Sequence, residues 1–304
     1  MRPAGFWSRL VGSPSSRGRW TSSCRTACGP TWSAALAGRL ARRPVVLEIY
    51  DRVAPGLGRR LLRLAVRWAA HSVACSEAVA ECAGPTVRGR ISVVHLTVDT
   101  DRFTPGPADP EVRAQLGAEA DEPLVGILGR WDPEKGIDLL VEAMTRLGDD
   151  LGDTRLAVVG AVHGASQEFG RQLRERAAAA LGPRVRFVPP RRDVPAVLRS
   201  LDVLVNASKA EPFGLTVLEA QACGIPVIGT RSGGIPEFVT DGETGLLVSP
   251  GDPEAMARAL RRVISDPMLR ARLATNARRR VDRFNRDARR ADVLAGLYRK
   301  VLRS

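Results

Sequence analysis

Two carboxylates, Glu211 and Glu219, bracket a turn in Glu211-Pro-Phe-Gly-Leu-Thr-Val-Leu-Glu219, which runs on through Ala220-Gln-Ala-Cys-Gly-Ile-Pro-Val-Ile-Gly229. Gly214 lets the backbone approach a phosphate closely, and a helix beginning near Leu215 presents unpaired N–H groups. Its dipole adds about 0.3–1 kcal/mol for an anion there. Glu219 falls just over a turn into that helix and faces the same end, where a carboxylate can accept both hydroxyls of a ribose. Glu211 precedes the turn, placed to bind hydroxyls of a transferred sugar. The plainer reading is a helix with a mildly stabilising acid near its start.

A second segment supplies the opposite charge. Gly129-Arg-Trp-Asp-Pro-Glu-Lys-Gly136 carries Arg130 and Lys135 across a turn that opens a helix. Two fixed cations beside free N–H groups suit a diphosphate leaving group; a surface turn with incidental charges is the alternative. Only Lys135, Lys209 and Lys300 are lysines in an Arg-rich chain. A retained ammonium is therefore informative, being chemically distinct from a guanidinium. In Ser232-Gly-Gly-Ile-Pro-Glu237 the paired glycines permit close backbone approach to a ligand, and Glu237 fits either a ligand contact or a helix-start acid. Asp99-Thr-Asp101 reads as turn chemistry. His71, His95 and His163 show no ligand spacing, and the five cysteines are irregularly spaced, so no metal site is expected.

These residues need elements to hold them. Helical patterns cover 33–42 and 58–70, and strands are expected at 45–49, 72–75 and 91–94. Beyond a Pro/Gly/Asp-rich stretch at 104–110, strands at 124–128, 155–159, 185–188, 202–206, 226–229 and 245–248 alternate with helices at 136–147, 166–181, 193–200, 215–223 and 253–265. The alternation predicts an α/β fold of right-handed βαβ units with a parallel, doubly wound sheet. In such sheets ligands bind beyond the carboxyl ends of the strands, where these motifs fall.

The bulk properties narrow the classes. The 304 residues carry a net charge of +13, distributed as +10 over 1–100, −8 over 101–257 and +11 over 258–304. Basic ends raise nucleic acid or an anionic membrane surface as partners. No recognition motif accompanies the charge, so nucleic acid is not expected. No apolar run approaches a membrane span. No Gly-x-Gly-x-x-Gly follows a strand, which disfavours a nicotinamide-dependent oxidoreductase. Residues 1–31, acid-free and aperiodic, read as unstructured or as a mis-assigned start.

Arg130 with Lys135, Glu211 with Glu219, Gly233-Gly-Ile-Pro-Glu237 and Thr244-Gly-Leu-Leu-Val248 occur in the order and spacing of family 4 retaining glycosyltransferases, the group 1 transferases of GT-B fold. The chain resembles that family well over about 106–290 and more loosely over 32–105. The resemblance implies a complete carboxyl-terminal Rossmann-like donor domain at 106–285, a partial amino-terminal acceptor-side domain at 32–105, and a last helix at 286–304 that crosses back. It implies transfer of a sugar from a nucleotide-diphosphate sugar to a glycan, lipid or small-molecule acceptor, with retention and with neither metal nor cofactor. By the same resemblance Gly129, Arg130 and Lys135 meet the diphosphate, Glu211 the sugar and Glu219 the ribose. Backbone at Phe213, Gly214, Leu215 and Thr216 meets phosphate and sugar, and the segment with Pro189 and Arg191 borders the base. The implied location is cytoplasmic, with peripheral approach to the inner membrane face.

The chain also departs from the pattern. A complete family member begins with a strand and a Gly-rich loop facing the donor phosphates, and this sequence enters after them. Where many relatives have His after the strand matching 45–49, it has Tyr50-Asp51; Leu96-Thr97 replaces the usual Asn-Gly. A truncated, non-catalytic remnant that only binds nucleotide or nucleotide-sugar is therefore the alternative expectation.

Overall fold

Parallel strands covered on both faces require nearly continuous apolar runs, and Leu-Val-Gly-Ile-Leu, Arg-Leu-Ala-Val-Val and Val-Leu-Val-Asn are such runs. The computed structural model describes residues 22–26, 31–147, 151, 153–162 and 164–303. The chain divides into two units, one within 1–96 and 288–304, the other spanning 97–287. In chain order the first unit contains β1 (Ser22–Thr26), α1 (Thr31–Leu40), β2 (Val45–Ile49), α2 (Leu57–Trp68), β3 (His71–Ala74), α3 (Glu77–Cys82), α4 (Pro85–Arg88) and β4 (Ile91–Val93). There follow α5 (Pro110–Gln115), β5 (Leu124–Leu128), α6 (Ile137–Thr145), β6 (Arg155–Val159), α7 (Gln167–Leu181), β7 (Val185–Val188) and α8 (Val194–Arg199). The remaining elements are β8 (Val203–Asn206), α9 (Leu215–Ala222), β9 (Val227–Thr230), β10 (Leu246–Val248), α10 (Pro253–Ser265), α11 (Pro267–Ala288) and α12 (Arg290–Arg303).

The first unit holds a parallel sheet in the order β1-β2-β3-β4. Its edge strand, β1, lies inside the aperiodic stretch 1–31. Ser22–Thr26 pairs with β2, from Ser22 opposite Val45 to Thr26 opposite Ile49. Ser-Ser-Cys-Arg-Thr has no apolar run, and backbone pairing at a sheet edge leaves no trace in side-chain periodicity. Inside this unit Glu48 of β2 is buried and accepts bonds from the Tyr50 and Tyr298 hydroxyls and from Arg290 Nη2 at 3.2 Å. Arg290 Nη1 also donates to the Val94 carbonyl at 2.8 Å, which fixes α12 against the strands.

The second unit carries a fully parallel sheet in the order β10-β9-β8-β5-β6-β7. Counted within the unit this is 3-2-1-4-5-6 read from the other edge, the doubly wound Rossmann order. The order reverses between β5 and β8, so a crevice opens where their carboxyl ends diverge. Leu140 and Met144 of α6, Leu173 of α7 and Leu260 of α10 are among the side chains buried in the core beside this sheet.

The unit boundary, between Leu96 and Thr97, lies upstream of the Pro/Gly/Asp-rich stretch. The link packs within the second unit. Asn285 donates to the Val98 carbonyl at 2.7 Å and accepts from its N–H at 3.2 Å, while Arg278 donates to the Phe103 carbonyl at 3.1 Å. Asp99 Oδ1 accepts the N–H groups of Asp101 and Arg102, as expected of a turn.

Candidate donor-binding site

At the switch point the chain leaves β5 through Gly129-Arg130 and leaves β8 through Ala207-Ser208. Pro133–Lys135 forms a short 3-10 turn, and Asp132 Oδ1 caps it by accepting from the Glu134 N–H at 3.1 Å. Lys209 N–H donates to the Glu134 carbonyl at 2.8 Å, tying the two loops together. Gly129, Arg130, Lys135, Asn206, Ser208 and Glu211 thereby line one cleft, with Gly214 and Thr216 at its far wall.

Glu211 is the buried centre of that cleft. One oxygen, Oε2, accepts from Lys135 Nζ at 2.9 Å, Ser208 Oγ at 2.8 Å and Asn206 Nδ2 at 3.2 Å. Burial works against its charge. The Lys135 ammonium and the three hydrogen bonds outweigh that and hold the carboxyl below its ordinary value, so Glu211 is ionised at neutral pH. Its main chain is equally fixed. Gly234 N–H donates to the Glu211 carbonyl at 3.0 Å, and a Cβ at Gly233, where φ is +63°, would sit 1.6 Å from that oxygen. The close approach that the sequence assigns to a ligand at these glycines is therefore made to the Glu211 backbone.

Arg130 has a different environment. Its side chain is 63% exposed and its salt-bridge partner is Asp132, at 3.6 Å, a separation that leaves it able to swing onto a bound anion. α9 starts at Leu215 behind Gly214 (φ +100°), which supplies no side-chain cap. Its first N–H groups consequently point toward the cleft without competition from a capping oxygen. Phe213 is buried, its ring 5.2 Å from Phe238 and 6.3 Å from Phe284. Only its backbone can serve a ligand, and the Leu215 side chain is exposed.

A second cavity adjoins the first through Gly129 and Thr216 and is lined also by Gly160, Pro190, Arg191 and Glu219. Burial pushes the Glu219 carboxyl up to about 7, partly opposed by the positive charge of Arg102. A half-buried carboxylate of this kind is disposed to accept hydrogen bonds from ligand hydroxyls. Arg191 is forked onto Asp193 at 2.8 and 2.6 Å and reaches Gln115 Oε1 at 2.5 Å, so it forms a stiff wall. Of the segment expected to border the base, Pro190 and Arg191 line this cavity, next to Pro189.

The structure brings Arg130, Lys135, Glu211, Gly214 and Thr216 into one cleft and puts Glu219 and Arg191 in its neighbour. Asn206 and Ser208 were not anticipated. Their signal was available: Asn-Ala-Ser directly after a buried strand places polar groups at the carboxyl edge where ligands bind. Glu237 lies in a 3-10 turn, Ile235–Glu237. His163 lies outside the described residues. Among the described residues no group of three or more His, Cys, Asp or Glu side chains gathers to hold a metal ion.

Comparison with known proteins gives a concordant picture. The family model for glycosyl transferases group 1 matches residues 108–280. A D-inositol 3-phosphate glycosyltransferase of Streptomyces avermitilis is 38% identical over 218 residues, covering 69% of this chain and 47% of that protein. A protein of the same name from Geodermatophilus obscurus is 42% identical over 217 residues, with 69% and 47% covered. The chain thus spans about half the length of the curated relatives it matches. Among solved structures, Anabaena HepE in complex with UDP and glucose superposes with a TM-score of 0.78 at 28% identity, covering 87% of this chain and 75% of that one. Sucrose-phosphate synthase from Thermosynechococcus elongatus gives 0.77 at 28% identity, with 93% and 73% covered. The α/β architecture with parallel, Rossmann-like sheets is that of GT-B transferases.

Proposed function

Because this chain belongs to the glycosyl transferases group 1 family, we propose that it moves a sugar from a nucleotide-diphosphate sugar to a glycan, lipid or small-molecule acceptor with retention of configuration. The observation that carries the reading is the charge arrangement at the switch point. A cationic pair, Arg130 and Lys135, and an uncapped helix start share one cleft with the ionised Glu211, beside the half-buried Glu219.

In this reading the diphosphate lies against Arg130, Lys135 and the N-terminus of α9. Glu219 takes the ribose hydroxyls, and the base lies against Pro190 and Arg191. Glu211 takes hydroxyls of the sugar. As the glycosidic bond breaks, positive charge develops on the sugar and negative charge on the leaving phosphate. Arg130, Lys135 and the helix start stabilise the latter. These groups supply the required positive charge themselves, so transfer is expected to persist in a chelator. UDP-sugars are the first donors to test, given the UDP in the Anabaena neighbour.

The test is a panel of UDP-, GDP- and ADP-sugars assayed for donor hydrolysis and transfer. Turnover with one of them supports the reading. Saturable nucleotide binding without turnover assigns the chain as a nucleotide-binding remnant instead, and the absence of both binding and turnover overturns the proposal.

We further propose a cytoplasmic location with approach to an anionic membrane face. Leu57 (71% exposed) and Leu64 share an exposed stripe of α2 with Arg60 and Arg67. Interleaved apolar and basic groups suit a lipid headgroup layer. No described helix is long and apolar enough to cross a membrane. Flotation with anionic but not zwitterionic vesicles is the expected result; equal recovery with both contradicts it.

A further inference from the structure

We infer that Glu211 and the donor diphosphate compete for Lys135, and that Asn206 and Ser208 are the positioning residues that hold Glu211 when Lys135 is drawn away. The inference rests on the assignment of this cleft to a nucleotide-diphosphate sugar, and it concerns the order in which the parts of that donor are recognised.

Three observations support it. First, the three hydrogen bonds to the Glu211 carboxylate converge on Oε2, and only one of them comes from a charge. The Lys135 ammonium is the mobile member, at the end of a flexible stem whose side chain is 25% exposed in the cleft beside Arg130. Second, the two neutral donors belong to a rigid frame. Ser208 N–H donates to Asn206 Oδ1 at 3.1 Å, and the Thr230 hydroxyl donates to the Ser208 carbonyl at 2.6 Å. Ser232 Oγ ties the adjacent Lys209 carbonyl at 2.8 Å. Departure of Lys135 therefore leaves a carboxylate that still accepts two bonds, which a buried charge requires. Third, Glu211 puts a negative charge in the same cleft as the cations that suit a diphosphate. The ligand must take Lys135 from an internal anion before it gains the full contact.

The consequence is an ordered exchange. A complete donor brings a diphosphate to Lys135 and sugar hydroxyls to the lone pairs that Lys135 vacates, so both partners of the broken ion pair are satisfied. A free nucleoside diphosphate satisfies only Lys135 and leaves Glu211 with its neutral donors. After transfer Glu211 reclaims Lys135 and loosens the hold on the product. The ion pair discriminates donor from spent nucleotide by whether sugar hydroxyls replace the ammonium at Glu211.

The experiment is calorimetric titration of the full chain with UDP, GDP and ADP, using whichever binds the wild type best. Glu211→Gln keeps the shape and the bonds from Asn206 and Ser208 while removing the charge. It is expected to bind the nucleoside diphosphate about tenfold tighter or better. Ser208→Ala leaves Glu211 more dependent on Lys135 and is expected to weaken the same binding about three- to tenfold. Opposite signs from two neighbouring substitutions are not produced by a merely structural role, and loss of folding cannot raise affinity. Wild-type binding with no gain in Glu211→Gln overturns the competition, and unchanged binding in Ser208→Ala overturns the positioning role. Absence of any nucleotide binding by the wild type overturns the donor-site reading itself.

Discussion

Glu219 gives the sharpest quantitative prediction, because its environment sets stability against function. Burial raises its folded value to about 7 from an ordinary 4.5. Below the lower value both folded and unfolded chains carry a protonated carboxyl, and Glu219 contributes nothing. Between the two values the unfolded chain ionises while the native one stays protonated, so native stability falls as pH rises through this window. Above about 7 the whole cost is present. A gap of about 2.5 pH units corresponds to roughly 3 kcal/mol, and residual solvent contact at this half-buried site brings the expectation to about 1–3 kcal/mol. Glu219→Gln removes the ionisation and keeps the shape. Urea unfolding should show the variant about 1–3 kcal/mol more stable than wild type at pH 8, with the gain shrinking to under about 1 kcal/mol at pH 5. The same variant should bind nucleoside diphosphate about 10- to 100-fold more weakly, through loss of charged hydrogen bonds to the ribose. A variant no more stable than wild type at pH 8, or a gain that does not change with pH, refutes the reasoning.

Three further substitutions probe the rest of the cleft. Gly233→Ala places a methyl 1.6 Å from the Glu211 carbonyl at a left-handed position and is expected to cost about 2–4 kcal/mol in thermal unfolding, with transfer lost in parallel. Arg130→Ala, at an exposed side chain, should leave the melting temperature unchanged and weaken nucleoside diphosphate binding about tenfold in calorimetry. Glu211→Ala should depress turnover by about 100-fold or more without a matching loss of nucleotide binding, because its interaction is made to the sugar, which the free nucleotide lacks.

The central sheet was legible because strands buried on both faces must be apolar along their length, and β5 through β10 fall within a residue or so of their expected spans. The candidate cleft was legible because doubly wound sheets open a crevice at the residues just after their strands, where Gly129, Arg130 and the Glu211 turn stand. What escaped depends on contacts distant in sequence. Lys135 pairs with Glu211 across 76 positions, and no local pattern announces that the two motifs neutralise each other. The Phe213 ring completes a cluster with Phe238 and Phe284 from two later segments, a packing role that the local turn does not announce. Gly233 signalled a close approach correctly, but local sequence could not say that its neighbour would be the Glu211 main chain. Edge strand β1 has no apolar pattern at all, since its pairing is made by backbone groups that every sequence possesses.

The measurement that bears most directly on the donor site is calorimetric titration of wild type, Arg130→Ala and Glu219→Gln with UDP, GDP and ADP. A donor cleft at the β5–β8 switch point predicts saturable one-to-one binding of one nucleotide by the wild type and clear weakening in both variants. No binding of any of the three, or binding that both variants leave untouched, contradicts it.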